Sequence, residues 1–174
     1  MLTVSKRISI GRKSMNLQKI FEYALQREKE GYQFFKSNAD KAGHAAAAQV
    51  FQKLADEELK HIEYIKNLME AEGNDGVKTE AMLEIEGWFE DTAKKEHLDQ
   101  SLVESMIPDV AVLRTAFLIE RDLSEFYENA AAKSSGTAQK AFEQLAKWER
   151  GHEVFFKDLH DKIFEEYTQM PWGG

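Results

Sequence analysis

The chain has 174 residues and a mass of 20.0 kDa, enough for one well-buried core and short for two. A net charge of −8 and a pI near 5.2 argue against a nucleic-acid groove, and no apolar run approaches the roughly 18–20 residues of a membrane span. The absence of cysteine removes disulfides, thiolate zinc sites, iron–sulfur clusters and a thiol nucleophile. Any metal must then be held by oxygen and imidazole nitrogen, and any electrons must arrive from another molecule.

The first fourteen residues, MLTVSKRISIGRKS, carry four basic groups and no acid. They lack the apolar block of a secretory signal, so 1–15 reads as a basic tail and the protein as cytoplasmic. A docking peptide for a larger compartment is the functional alternative. Apolar residues then recur at helical spacing through Leu17, Ile20, Phe21, Ala24, Leu25, Gly31, Tyr32, Phe35 and Ala39, with Ser14 or Asn16 as the cap. After a short turn at Gly43, a second helix is predicted through Val50, Phe51, Leu54, Ile62, Ile65, Leu68 and Met69, ending near Gly73. From Asn74 to Ile107 runs a long connection with its own apolar residues (Met82, Leu83, Ile85, Trp88, Phe89, Leu98, Leu102), which is expected to form short packed helices. Pro108 suits the first turn of a third helix through Leu113, Ala116, Phe117, Leu123, Tyr127, Ala130 and Ala131. The Ser134-Ser135-Gly136-Thr137 turn leads into a fourth, through Phe142, Leu145, Phe156, Leu159, Ile163, Phe164 and Tyr167. Pro171 stops it, leaving 169–174 as a C-terminal tail.

Short turns within each pair imply two antiparallel hairpins, and a connection of that length suits a crossover along the side of a bundle. The fold class is therefore all-α, a four-helix bundle over 16–168 built from two hairpins joined by a crossover at about 74–107. The hairpins also read as one motif duplicated. Ala24-x-x-x-Glu28-x-x-Gly31 aligns with Ala116-x-x-x-Glu120-x-x-Leu123 at an offset of 92, and Leu54-x-x-x-Glu58-x-x-His61 with Leu145-x-x-x-Glu149-x-x-His152 at 91.

Residues three and four apart share a helix face. Glu28, Glu58, His61, Glu120, Glu149 and His152 therefore lie on the apolar stripes and point into the core. Burying a carboxylate unpaired costs at least several kcal/mol, and four in one layer repel each other. No core-facing Lys or Arg offers a partner, whereas two divalent cations neutralise all four. Carboxylate-rich ligation with one imidazole per metal suits iron or manganese better than zinc. One Glu-x-x-His could arise by chance on a solvated face; His44, His97 and His160 have Lys at that position. Two copies on apolar stripes, each matched by a glutamate at near-equal distance, are a poor fit to accident. Tyr32 and Tyr127 are candidates to hydrogen-bond the ligating carboxylates, with an ordinary core role as the alternative. Trp148 reads as a packing residue off the ligand face, and His160 as an ordinary polar position.

These six positions and their spacing resemble the ferritin-like, rubrerythrin-type di-iron carboxylate family over most of residues 16–167. The resemblance implies that Glu28 and Glu120 are terminal ligands, that Glu58 and Glu149 bridge two iron ions, and that His61 and His152 each complete one metal. The sequence departs from the family in two places. The cysteine-bearing rubredoxin domain of rubrerythrins proper has no counterpart, and Leu123 stands where they carry an additional glutamate, with Gly31 as its first-helix counterpart. The resemblance implies oxidation of iron(II) by dioxygen or hydrogen peroxide, in oxidative-stress defence or iron handling, with an external electron donor. Efficient peroxide reduction is less expected. A dimanganese catalase, an oxygenase acting on an organic substrate, and an iron-sequestering protein without turnover are the alternatives. The family expectation is also a homodimer, in which hairpins can be exchanged between chains; nothing in the acidic pattern specifies a storage shell.

Overall fold

The computed structural model describes residues 3–73 and 110–169, with side chains over 17–71 and 110–169. Four helices account for nearly all of them: α1, Thr3–Lys41; α2, Ala45–Gly73; α3, Val110–Ala132; and α4, Thr137–Gln169. The described residues contain no strand, so the expected all-α bundle is what forms. None of the described helices is long and apolar enough to cross a membrane.

Helix α1 starts at Thr3 rather than at the expected Ser14 or Asn16 cap. Nothing in 3–16 breaks a helix outright: there is no proline, and the one glycine, Gly11, costs only about 1 kcal/mol relative to alanine. Once the packed part is helical, each further residue adds one hydrogen bond without a new nucleation cost. The short helices expected within 74–107, and the roles of Pro108 and Pro171, lie outside the described residues.

Each hairpin closes tightly. After α1 the chain turns through Ala42, Gly43 and His44, with the Ala42 amide donating to Asn38 O at 2.9 Å and the Ala48 amide to His44 O at 3.0 Å. After α3, the Lys133 and Ser134 amides donate to Ala130 O and Ala131 O, and Gly136 takes φ +65°, a left-handed conformation that favours glycine. Its carbonyl then accepts from the Lys140 amide at 3.2 Å and opens α4.

The core falls into two apolar slabs. One joins Phe21 and Ala24 of α1, Ile65 and Leu68 of α2, Leu123 and Ala130 of α3, and Phe142 and Leu145 of α4. The other joins Phe35 of α1, Phe51 and Leu54 of α2, Leu113 and Ala116 of α3, and Phe156 and Ile163 of α4. Aromatic contacts tie the hairpins together at both levels: Phe21 meets Phe142 at 5.0 Å, and Phe35 lies parallel to Phe156 at 5.5 Å. Helix direction follows from which slab each helix meets first. α1 and α4 run from the first slab to the second, and α2 and α3 run the opposite way. The end of α2 and the start of α3 therefore lie at opposite ends of the bundle, as a crossover requires.

Candidate metal centre

Between the slabs lies one polar layer. On α1, Glu28 comes seven residues after Phe21 and seven before Phe35, so it falls at the same height between the two apolar levels. α2 and α4 each supply a Glu-x-x-His pair there, and α3 supplies Glu120. All six side chains are buried, the four glutamates with no exposure at all.

The structure brings all six together as two nests that share two members. Glu28, Glu58, His61 and Glu149 form one; Glu58, Glu120, Glu149 and His152 form the other, and in each nest one ligand-capable atom from every residue lies within 4.8 Å of the rest. His61 Nδ1 is 2.8 Å from Glu149 Oε1, 3.3 Å from Glu28 Oε2 and 3.6 Å from Glu58 Oε2. His152 Nδ1 is 3.4 Å from Glu120 Oε2, 3.4 Å from Glu149 Oε2 and 3.8 Å from Glu58 Oε1. Glu58 and Glu149 thus turn one oxygen toward each imidazole.

The electrostatics are those of a site short of positive charge. Among the described residues the charged partners of these carboxylates are the two imidazoles. Both carboxylate oxygens of Glu58, Glu120 and Glu149 are buried without a hydrogen-bond partner. Burial, with the charges of Glu149 and Glu28 beside it, raises Glu58 well above the usual carboxylate range. Burial, with Glu58 and Glu149, does the same to Glu120. At Glu149 the effect of burial is outweighed by attraction from His61, and its carboxyl is held well below that range. His61 responds in kind: desolvation alone would lower it, but Glu149 and Glu28 raise it. Orphaned acceptors are costly in a dry interior, and cations relieve that cost directly. Oxygen-rich nests with one imidazole each suit iron or manganese.

The surroundings are less symmetrical than the nests. The Tyr127 hydroxyl donates a hydrogen bond to Glu28 Oε1, so this expected neighbour reaches the layer. Burial and the Glu28 charge hold its phenol well above its ordinary range. Tyr32 does not join it: the ring is partly buried against the Phe35 slab and makes no hydrogen bond to the six. At the position equivalent to Tyr127 the first hairpin has Phe35, and at the one equivalent to Tyr32 the second has Ser124. Gly31 leaves its flank open to Glu58: a Cβ there would lie 3.5 Å from that carboxyl. Its counterpart Leu123 fills the flank on α3.

Of two further residues at the layer, Glu57 escaped the sequence reading and Trp148 was read there as a packing residue. Trp148 does leave the ligand face of its own helix, as expected, but it crosses to lie flat on His61 of α2, with ring centroids 5.1 Å apart and planes 4° apart. Glu57 is buried and stands within 4.8 Å of both imidazoles, while its carboxylate also pairs with Lys60. The available signal was the internal repeat, since the offset of 91 that pairs Glu58 with Glu149 also pairs Glu57 with Trp148.

A sequence model of the rubrerythrin family matches residues 3–69 and 111–171, most of the chain and both halves of the layer. The chain belongs to the rubrerythrin family. No curated protein and no solved structure matches it significantly. Membership fits what the fold already displays, a duplicated helical hairpin carrying carboxylates and imidazoles on its inner face. Rubrerythrin-family chains typically bind iron, and the two nests here are buried groups able to hold metal.

Proposed function

We propose that this rubrerythrin-family protein binds two iron ions in the polar layer and oxidises iron(II) with dioxygen or hydrogen peroxide. Glu28 and His61 would complete one ion and Glu120 and His152 the other, with Glu58 and Glu149 shared between them. The observation that carries this reading is the pair of shared carboxylates, each turning one otherwise orphaned oxygen toward each imidazole. Bound there, two iron ions supply the pair of electrons that reduces the oxidant.

The protein's contribution is positioning and exclusion. Glu58 and Glu149 hold the two positions side by side. Tyr127 fixes the rotation of the Glu28 carboxylate by donating to one of its oxygens. The Phe35 and Phe156 slab on one side, and the Phe142 and Leu145 slab on the other, keep bulk water from the layer. Leu123 in place of the additional family glutamate favours iron oxidation over efficient peroxide reduction, since it offers no carboxylate to exchange. With no cysteine in this sequence, reducing equivalents come from an external donor.

Anaerobic loading with iron(II) or manganese(II), followed by elemental analysis beside Glu58→Ala, tests the centre. About two ions per chain in the parent and a sharp fall in the variant are expected. Fewer than one ion per chain, unmoved by the substitution, would overturn the reading. Oxygen consumption coupled to iron(II) oxidation then supports the ferroxidase assignment. Oxygen evolution from peroxide by the manganese-loaded protein would replace it with a catalase, and a single slow turnover would replace it with sequestration.

A further inference from the structure

A run of aromatic contacts leads out of the layer. His152 lies on His61 with ring centroids 5.4 Å apart and planes within 16°. Trp148 lies on His61 at 5.1 Å with planes 4° apart, and Tyr64 meets the indole edge-on at 5.2 Å. These are stacking distances, at which rings pass single electrons readily. Through them either nest communicates with the indole. Simple packing would not require the indole to align with a ligating imidazole, and the 91-residue repeat has Glu57, not an aromatic, at the equivalent position. In a chain without cysteine, indole and phenol are the side chains most easily oxidised by one electron. They differ in the fate of the proton. The Trp148 N–H is buried without a hydrogen-bond partner, so an indole that loses an electron has no acceptor at hand and keeps its proton. A phenol gives up an electron only with its proton. The Tyr64 hydroxyl is also buried without a partner, and burial pushes it up to about 12, so Tyr64 stays reduced and caps the indole. Tyr127 has an acceptor, but it is Glu28, a carboxylate that the proposed centre needs for metal.

We propose that Trp148 is a one-electron donor to the layer, supplying the second electron when hydrogen peroxide meets a layer that holds a single iron(II) ion. The inference rests on the proposed metal centre and adds to it a residue of this chain. Reduction of hydrogen peroxide to two waters takes two electrons and two protons. A filled layer has both electrons to give. A half-filled layer has one, and with that one alone the O–O bond breaks to hydroxide and a hydroxyl radical. Trp148 provides the other through His61: the indole loses one electron and keeps its N–H, two protons come from water, and the O–O bond breaks to two waters. The product on the protein is an indole radical cation. Carboxylates outnumber the charges of one divalent ion in the layer, and that surplus favours a cation on the adjacent ring. An external one-electron donor, the class of reductant the centre already requires, returns the indole to its resting state. Trp148 thus makes an even-electron event of a reaction that a single iron ion would otherwise complete by releasing a radical.

Rapid-freeze electron paramagnetic resonance reads the donor directly. Protein loaded anaerobically with one or two equivalents of iron(II) is mixed with hydrogen peroxide and frozen within milliseconds. At one equivalent the parent is expected to give an indole radical, identified by added fluorine coupling when the chain is grown with 5-fluorotryptophan. The signal should fall at two equivalents, where iron supplies both electrons. It should be lost in Trp148→Phe and kept in Trp88→Phe and Trp172→Phe. A spin trap for hydroxyl radical should report more adduct from Trp148→Phe than from the parent at one equivalent. The fluorine signature is read in the full-length parent sequence, so the test holds even where Trp148→Phe fails to fold. Iron bound and oxidised at one equivalent without an indole radical would overturn the inference while leaving the centre standing. So would a signal that survives Trp148→Phe, or a phenoxyl radical lost with Tyr127→Phe. A signal as strong at two equivalents as at one would overturn the odd-electron role. Absence of iron uptake by the parent would remove the centre itself, and the donor with it.

Discussion

Glu58 and Glu120 oppose the fold as buried carboxylates and serve the proposed centre for the same reason. Their raised proton affinity has a definite sign in the metal-free protein. A carboxyl whose folded value lies above its unfolded one stabilises fully below the unfolded value, and that contribution is lost as pH rises through the folded value. His61, also raised, changes in the same direction, whereas Glu149, which is lowered, loses its contribution only in acid. Metal-free protein should therefore be most stable on the mildly acid side of neutrality, and thermal melts from pH 5 to 8 will display the decline. Manganese(II) should reverse the trend, with proton release on binding and affinity that rises with pH. Glu120→Gln should raise the metal-free melting temperature at pH 7, by about 1–3 kcal/mol of stability, and abolish the gain from metal. A variant that melts lower without metal would contradict this account of the layer. Tyr127→Phe should weaken metal binding at the Glu28 position about tenfold, read by anaerobic cobalt(II) titration, because the carboxylate loses its anchor. The six layer residues were legible because their apolar flanks and double spacing are periodic. Glu57 was hidden among many surface glutamates, and Trp148 was judged only from its own helix. Its role arises across the bundle, where single-helix periodicity carries no information.

The four helices were legible for the same reason, as a 3.6-residue stripe survives any detail of packing. Their ends were less so, because a boundary depends on a few local bonds. The start of α1 at Thr3 is one example, and the two turn glycines are another. Gly43 and Gly136 look alike in sequence, but only Gly136 takes a positive φ. Gly136→Ala is expected to cost about 1–2 kcal/mol, from the left-handed conformation alone, since nothing lies within 4 Å of a Cβ there. Gly43→Ala should be neutral or stabilise by up to about 1 kcal/mol through the unfolded chain. Urea denaturation of the two metal-free variants separates these outcomes. Where the hairpins join, Phe156 lies against Phe35 and Phe51, and Phe156→Ala should cost about 3–5 kcal/mol. That loss reports on docking of the two hairpins, which no reading of either alone could provide.

For the molecule as a whole, the order of helix directions makes α2 and α3 parallel, so the chain must travel the length of the bundle between them. At 1.5 Å per residue, the 29 residues of α2 span about 43 Å. That topology follows from which slab each helix meets first, and its length was already implied by the spacing between the hairpins. The slabs have another consequence. They form a selective solvent. Dioxygen is small and apolar and partitions readily into aliphatic and aromatic side chains, whereas a hydrated iron(II) ion must shed water and gain carboxylates before it can enter. In the proposed function, oxidant and metal would therefore approach the same layer through different media: dioxygen through the apolar slabs, and the ion only by exchanging its water for carboxylates.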